Sequence, residues 1–311
     1  MIVSFIVALV ILTLGAHWFI KSSVAIAFHF RVPKLFIAML VMSFATSIPE
    51  IWVVVKAAQM GSIELAVGNI IGSYVANISF AIGLPAMLSP ILVEQHLTKR
   101  DLPIALCVLS LTFLLLADGS LSQFDALVLF ACLFAWLAFM FYQIRGGIDT
   151  RVTKIHKSMS IYKAVPLFVI GVVLLQYGAN EMVDTAIQLS KYYDIAPVLI
   201  GLTVVAIGTS LPEVAAAISS VLHGDVELAV GTALGSNIFL LLFALPAAIF
   251  VHQAPFSSSH IWHEFLFLAL ITGTFWLFSA QFDRVLRINR VEGFFLVLMG
   301  LAFYFLQTRI F

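Results

Sequence analysis

The sequence predicts an all-α integral membrane protein with ten transmembrane helices in two five-helix repeats of inverted topology. Three observations carry that prediction: an apolar composition, a succession of apolar runs of spanning length, and one internal repeat at a fixed offset. Of 311 residues, 62% are hydrophobic and 10% charged, and the mean hydropathy is +1.10. Soluble domains carry about 25% charged residues, so this chain has too little polar surface to face water and is solvated by lipid. The formal net charge is zero, which excludes the basic footprint of a nucleic-acid binder.

A membrane-crossing helix needs roughly 20 apolar residues. Such runs fall at roughly 2–27, 34–59, 63–89, 101–117, 122–144, 164–190, 195–222, 226–251, 259–279 and 288–308. The apolar start has no basic n-region and reads as a retained first helix rather than a cleaved signal peptide. The one long polar stretch carries Arg145, Arg151, Lys154, Lys157 and Lys163. It reads as a solvated linker, dividing the chain into a first repeat over 1–144, a linker over 145–163 and a second repeat over 164–311. Alternating the loops puts these residues, with Arg31, Lys34, Lys99, Arg100, Arg284, Arg287 and Arg290, on one side. The other side receives little beyond Lys56, Lys191 and Arg309. The basic side is cytoplasmic by the positive-inside rule, so both termini face outward across a plasma (inner) membrane. Cys107 and Cys132 lie in apolar runs and form neither a CxxC motif nor a disulfide framework.

The repeat is explicit. Thr46-Ser47-Ile48-Pro49-Glu50 matches Thr209-Ser210-Leu211-Pro212-Glu213, Glu64-Leu65-Ala66-Val67-Gly68 matches Glu227-Leu228-Ala229-Val230-Gly231, and Gly72-Ser73 matches Gly235-Ser236. All three share one offset of 163 residues without a gap. That offset spans five helices, an odd number, so the second half is inserted upside down. Transporters use inverted repeats with the substrate site near the midplane, where the halves meet.

Glu50 and Glu213 fall in mid-span, where a carboxylate costs at least about 2.5 kcal/mol. The bland explanation is a glutamate held by a basic partner, but no lysine or arginine lies at mid-depth in either span. Pro49 and Pro212 each remove a backbone donor, which disturbs the carbonyls of Ala45 and Gly208. Thr46, Ser47, Thr209 and Ser210 add hydroxyls. The break therefore gathers oxygens, the ligands of hard cations such as calcium. Ser73 and Asn77 share a helix face, as do Ser236 and Leu240. Gly68, Gly72, Gly231 and Gly235 form small-xxx-small pairs that mark close helix packing. Ser62 and Asp225 read as N-caps, and Glu64 and Glu227 as charges favoured at the same helix starts. His263-Glu264 lacks the second histidine of an HExxH zinc site. His17, Glu181 and Asp184 read as interfacial. A channel filter would use rings from several subunits, and no catalytic dyad or metal triad marks an intramembrane enzyme.

The doubled Thr-Ser-x-Pro-Glu and Gly-x-x-x-Gly-Ser segments resemble the alpha repeats of the calcium:cation antiporter superfamily, specifically its sodium/calcium exchanger branch of prokaryotic type. The resemblance implies a membrane antiporter with no cofactor, taking calcium and monovalent cations as substrates. It implies Glu50 and Glu213 as central ligands, with side-chain oxygens from Thr46, Ser47, Thr209, Ser210, Ser73 and Ser236. Asn77 would be a further polar ligand, and backbone carbonyls near Ser43 and Ala206 would help bind sodium. Two departures stand out: Leu240 occupies a position that is commonly aspartate in the family, and Thr232 one that is commonly asparagine, although Asn69 keeps the asparagine in the first repeat. Two carboxylates still match the charge of one divalent cation. Two close carboxylates can also carry protons, which keeps proton coupling, or another divalent ion, as the alternative.

Overall fold

The computed structural model describes residues 2–29, 40, 42–93, 95–119, 122–145, 159–222, 226–252, 258–280 and 287–310. Asp225, Arg31, Lys34, Arg151, Lys154, Lys157 and Arg284, all invoked above, lie outside the described residues. In the first half the chain forms α1 (Ile2–His29), α2 (Ser43–Thr46), α3 (Ile48–Gln59), α4 (Ile63–Ser79), α5 (Gly83–Leu88), α6 (Leu102–Leu116) and α7 (Gln123–Arg145). The second half forms α8 (Ile161–Tyr193), α9 (Pro197–Ile200), α10 (Ala206–Thr209), α11 (Leu211–Leu222), α12 (Val226–Phe239), α13 (Leu245–Val251), α14 (Ser258–Ser279) and α15 (Arg290–Ile310). Wide, π-type turns join α9 to α10 over Gly201–Val205 and α12 to α13 over Leu240–Ala244. Such turns insert extra backbone into a helix and are frequent at functional sites. Leu40 and Met42, ahead of α2, share the wide conformation of Gly201–Val205 ahead of α10.

Among the described residues, eight stretches are long and apolar enough to cross a membrane by length and composition: Ile2–Phe19, Ile63–Leu88, Gln123–Tyr142, Ile161–Tyr193, Pro197–Leu222, Ala229–Val251, Trp262–Ser279 and Arg290–Thr308. Their burial sorts them into layers. The Ile63–Leu88 window is 94% buried and the Ala229–Val251 window 78%, whereas those in Gln123–Tyr142 and Ile161–Tyr193 are 33% and 22% buried. Helices α4, α5, α12 and α13 are therefore the centre. The outer helices α1, α7 and α8 turn Val3, Phe134 and Val173 outward, a continuous apolar surface suited to lipid and not to water.

Glycines set the closest approaches. Helices α1 and α8 run antiparallel: a Cβ on Gly15 would lie 2.8 Å from the Leu175 nitrogen, and one on Gly178 would lie 2.7 Å from the Leu12 nitrogen. Gly68 and Gly72 of α4 face the carbonyl oxygens of Val198 and Leu202, leaving no room for a side chain. Close packing is thus the role of these two glycines, as expected. Ser62 sits at the N-cap position of α4 but makes no capping hydrogen bond, and Glu64 is exposed beside it. A two-residue antiparallel ladder, β1 (Ile91–Leu92) with β2 (Arg287–Ile288), pairs Ile91 with Ile288 and Leu92 with Arg287. It ties the segment after α5 to the one before α15.

Candidate ion-binding site

Both Thr-Ser-x-Pro-Glu segments break their helix in the same way. Ser47 (φ −79°, ψ −2°) separates α2 from α3, and Ser210 (φ −82°, ψ 0°) separates α10 from α11. Pro49 and Pro212 each take the second position of the new helix, where a missing N–H costs nothing. Glu50 and Glu213 consequently lie in the first turns of α3 and α11, where the helix dipole favours negative charge. The cap N–H groups of Ser47 and Ser210 donate to the carbonyls four residues back, Ser43 at 3.1 Å and Ala206 at 3.0 Å. The prolines therefore act by starting a new helix under the carboxylate, whose first bonds run from the Ile51 and Val214 N–H groups to the carbonyls of Ser47 and Ser210.

The breaks meet α4 and α12 at the centre of the molecule. Ser43, Thr46, Ser47, Glu50, Ser73, Asn77, Ala206, Thr209, Ser210, Glu213 and Ser236 are all at most 1% exposed. Hydrogen bonds cross between the halves in matched pairs. The Thr46 and Ser236 hydroxyls lie 3.3 Å apart, and those of Ser73 and Thr209 lie 3.4 Å apart. Thr46 also donates to the Ser43 carbonyl at 3.2 Å, and Thr209 to the Ala206 carbonyl at 3.2 Å. Ser236 reaches the Ser43 carbonyl at 3.3 Å. The carbonyls expected to serve sodium thus sit within this hydroxyl network.

The carboxylates break the symmetry. Ser210 Oγ donates to Glu50 Oε1 at 3.0 Å, while neither oxygen of Glu213 has a donor within bonding distance among the described residues. Glu50 Oε2, Asn77 Oδ1 and Ser47 Oγ are likewise buried without a partner. A buried polar atom left unsatisfied costs about 1–3 kcal/mol, more when charged. Five such oxygens belong to the two helix breaks and α4. No group of three or more His, Cys, Asp or Glu side chains that could hold a metal occurs among the described residues, so the oxygens on offer are two carboxylates supplemented by hydroxyls and an amide.

The sodium/calcium exchanger protein family matches residues 1–144 and 163–309, nearly the whole chain. The chain belongs to that family. It is therefore of a transporter family and not an enzyme. This exchanger-family chain is 31% identical to the inner membrane protein YrbG of Escherichia coli (strain K12), over 93% of each chain. It is 26% identical to the sodium/calcium exchanger MaX1 of Methanosarcina acetivorans, over 96% of this chain and 95% of that one. A solved structure of the sodium-calcium exchanger NCX_Mj, soaked with sodium and strontium, superposes with a TM-score of 0.68 at 28% identity, covering 97% of this chain and 96% of that one.

Other expected positions fall as follows. Leu240 is fully buried and opens the wide turn after α12. His17 is exposed, and Glu181 and Asp184 are half-buried. Glu264 is 2% exposed on α14, beside an exposed His263. Asn69, named above as the asparagine kept in the first repeat, accepts a hydrogen bond from Thr209 at 3.3 Å; Asn237, which escaped notice in the sequence, accepts one from Asn77 at 3.0 Å. Both stand in the Gly-rich repeat segments, next to residues that were singled out. Asn237 was hidden because its partner in the first repeat is Tyr74, so the doubled pattern did not flag it.

Proposed function

We propose that this chain is an antiporter that exchanges calcium against sodium by alternating access, with Glu50 and Glu213 as the central ligands. The observation that carries this reading is the pair of buried carboxylates at repeat-equivalent positions, with three of their four oxygens unpartnered. Ser47, Asn77 and the hydroxyls of Thr46, Thr209, Ser210, Ser73 and Ser236 would supply further oxygens, and water would complete the about six to eight that calcium takes. Two negative charges balance one divalent cation. Release of calcium leaves room for monovalent cations that neutralise the same carboxylates, which is the physical basis of exchange. Two inverted five-helix repeats, ten spans in all, are the architecture of the reading. The Thr46–Ser236 and Ser73–Thr209 pairs interchange under the 163-residue offset. So do the Gly15–Leu175 and Gly178–Leu12 contacts, which supports the pseudo-twofold.

A second reading, proton-coupled exchange of calcium or another divalent cation, is favoured by Leu240: a buried leucine supplies no oxygen where a carboxylate would serve sodium. Calcium uptake into proteoliposomes under separately imposed sodium and proton gradients decides between them. Sodium-driven uptake is the expected result; uptake driven only by the proton gradient favours the second reading, and uptake needing neither would indicate a channel. Leu240→Asp is expected to raise sodium dependence in the same assay, and unchanged dependence would show that this corner is not a sodium site.

The asymmetry of lysine and arginine supports an orientation with both termini outside and the 145–163 linker inside a plasma (inner) membrane. A cysteine at position 154 is expected to resist an impermeant thiol reagent on intact cells, while one appended to the C-terminus reacts. The opposite pattern reverses the topology.

A further inference from the structure

The amide of Asn77 is not free to choose which atom it offers. Asn237 Nδ2 donates to the backbone carbonyl of Tyr74 at 3.4 Å, and Asn77 Nδ2 donates to Asn237 Oδ1 at 3.0 Å. A carbonyl can only accept, so the Asn237 atom facing Tyr74 must be the NH2 group. That orients Asn237 with its oxygen toward Asn77, which in turn must answer with its own NH2. The Asn77 oxygen is then the atom left over, buried and unpartnered. One unambiguous backbone carbonyl therefore settles two side-chain amides whose oxygens and nitrogens look alike.

The Tyr74 carbonyl is itself held in place. Thr272 spends its proton on the Leu268 carbonyl at 2.7 Å, so the Tyr74 hydroxyl donates to Thr272 at 3.1 Å. Tyr74, Asn77 and Asn237 are at most 1% exposed, so these bonds are shielded from bulk solvent. Tyr74 and Asn237 are also repeat-equivalent, as are Asn77 and Leu240. The second half thus places a leucine opposite Asn77 and an amide one helical turn earlier, and that amide contacts Asn77 instead of a cation.

We infer that Asn237 is a positioning residue: through the Tyr74 carbonyl it holds Asn77 with its oxygen, not its NH2 group, presented to the cation. Without it the Asn77 amide can turn over and offer a donor where a positive ion must sit. The inference rests on the calcium-exchange reading above.

The test is a cycle of four proteins in proteoliposomes: the unmodified chain, Asn237→Leu, Asn77→Leu and the double variant, each assayed for calcium-dependent uptake. Leucine preserves volume and removes both hydrogen bonds; Asn237→Ala serves as a second variant should the leucine not fold. The expected result is a rise of about tenfold in the calcium KM of Asn237→Leu, as for loss of one oriented ligand, with the maximal rate within about twofold. The double variant should be no worse than Asn77→Leu alone, because Asn237 acts only through Asn77. An unchanged KM in a folded Asn237 variant overturns the inference and leaves the exchange reading standing. So do independent losses that multiply in the double variant. An unmodified chain with no saturable calcium uptake overturns the exchange reading, and this inference with it.

Discussion

Glu213→Gln is expected to lower calcium exchange more than about a hundredfold while the protein remains folded. Neither Glu213 oxygen has a hydrogen-bond donor in bonding geometry among the described residues, so on the proposed reading its charge is available to the ion. A neutral amide leaves a divalent cation facing one carboxylate in a low-dielectric setting, a loss of several kcal/mol, and each 1.4 kcal/mol is tenfold. Glu50→Gln should be as damaging to flux, since it removes the other charge, although its amide oxygen can still accept from Ser210. Flux in reconstituted vesicles, beside a size-exclusion profile in detergent, checks both. Near-normal calcium flux in either variant would remove the carboxylates from the centre of the mechanism.

Gly72→Val carries the largest expected cost to the fold itself. A Cβ there would strike the Leu202 carbonyl oxygen and lie 2.5 Å from the Ala206 Cβ. Backbone atoms cannot yield as the tip of a flexible side chain can, so α4 must move off the segment that leads into the second break. Overpacking costs about 1–3 kcal/mol and more where the backbone is the obstacle, and here it also shifts Ser73. The expected outcome is loss of most folded protein and of all exchange. Gly273→Ala is the contrasting case: beyond its chain neighbours and the backbone of its own helix turns, no atom of the described residues lies within 4 Å of its added Cβ, and alanine is favoured over glycine in a helix by about 1 kcal/mol. Thermal stability in detergent should fall steeply for the first and hold or rise for the second. A fully stable Gly72→Val would mean that α4 and the 197–205 segment can separate without harm.

The apolar runs and the doubled motif made most of this architecture legible, because helix length and a repeated Pro-Glu are local properties of the chain. The observed helices begin and end close to the expected spans wherever they are described, from Ile2–His29 to Arg290–Ile310. What the chain alone could not convey is relational. Ser210 and Ser47 are equivalent letters, yet only the former has a carboxylate to donate to. Proline at 49 and 212 pointed to disturbed carbonyls, but not to the new helix start that sets Glu50 and Glu213 in a first turn. The two-residue ladder at Ile91 and Ile288 was too short to leave an alternating pattern. Asn237 carried no mark of its own, since its significance lies in a backbone carbonyl at Tyr74, 163 positions away.

Four of the bonds at the polar centre join a residue of the first half to one of the second: Thr46 to Ser236, Ser73 to Thr209, Ser210 to Glu50, Asn77 to Asn237. During synthesis the first half enters the bilayer well before those partners exist. Glu50, Thr46 and Asn77 must then wait in an environment that penalises unsatisfied polar groups. Each half supplies hydrogen-bond partners to polar groups of the other. The arrival of Thr209, Ser210 and Ser236 brings the hydroxyls that Ser73, Glu50 and Thr46 meet in the folded chain.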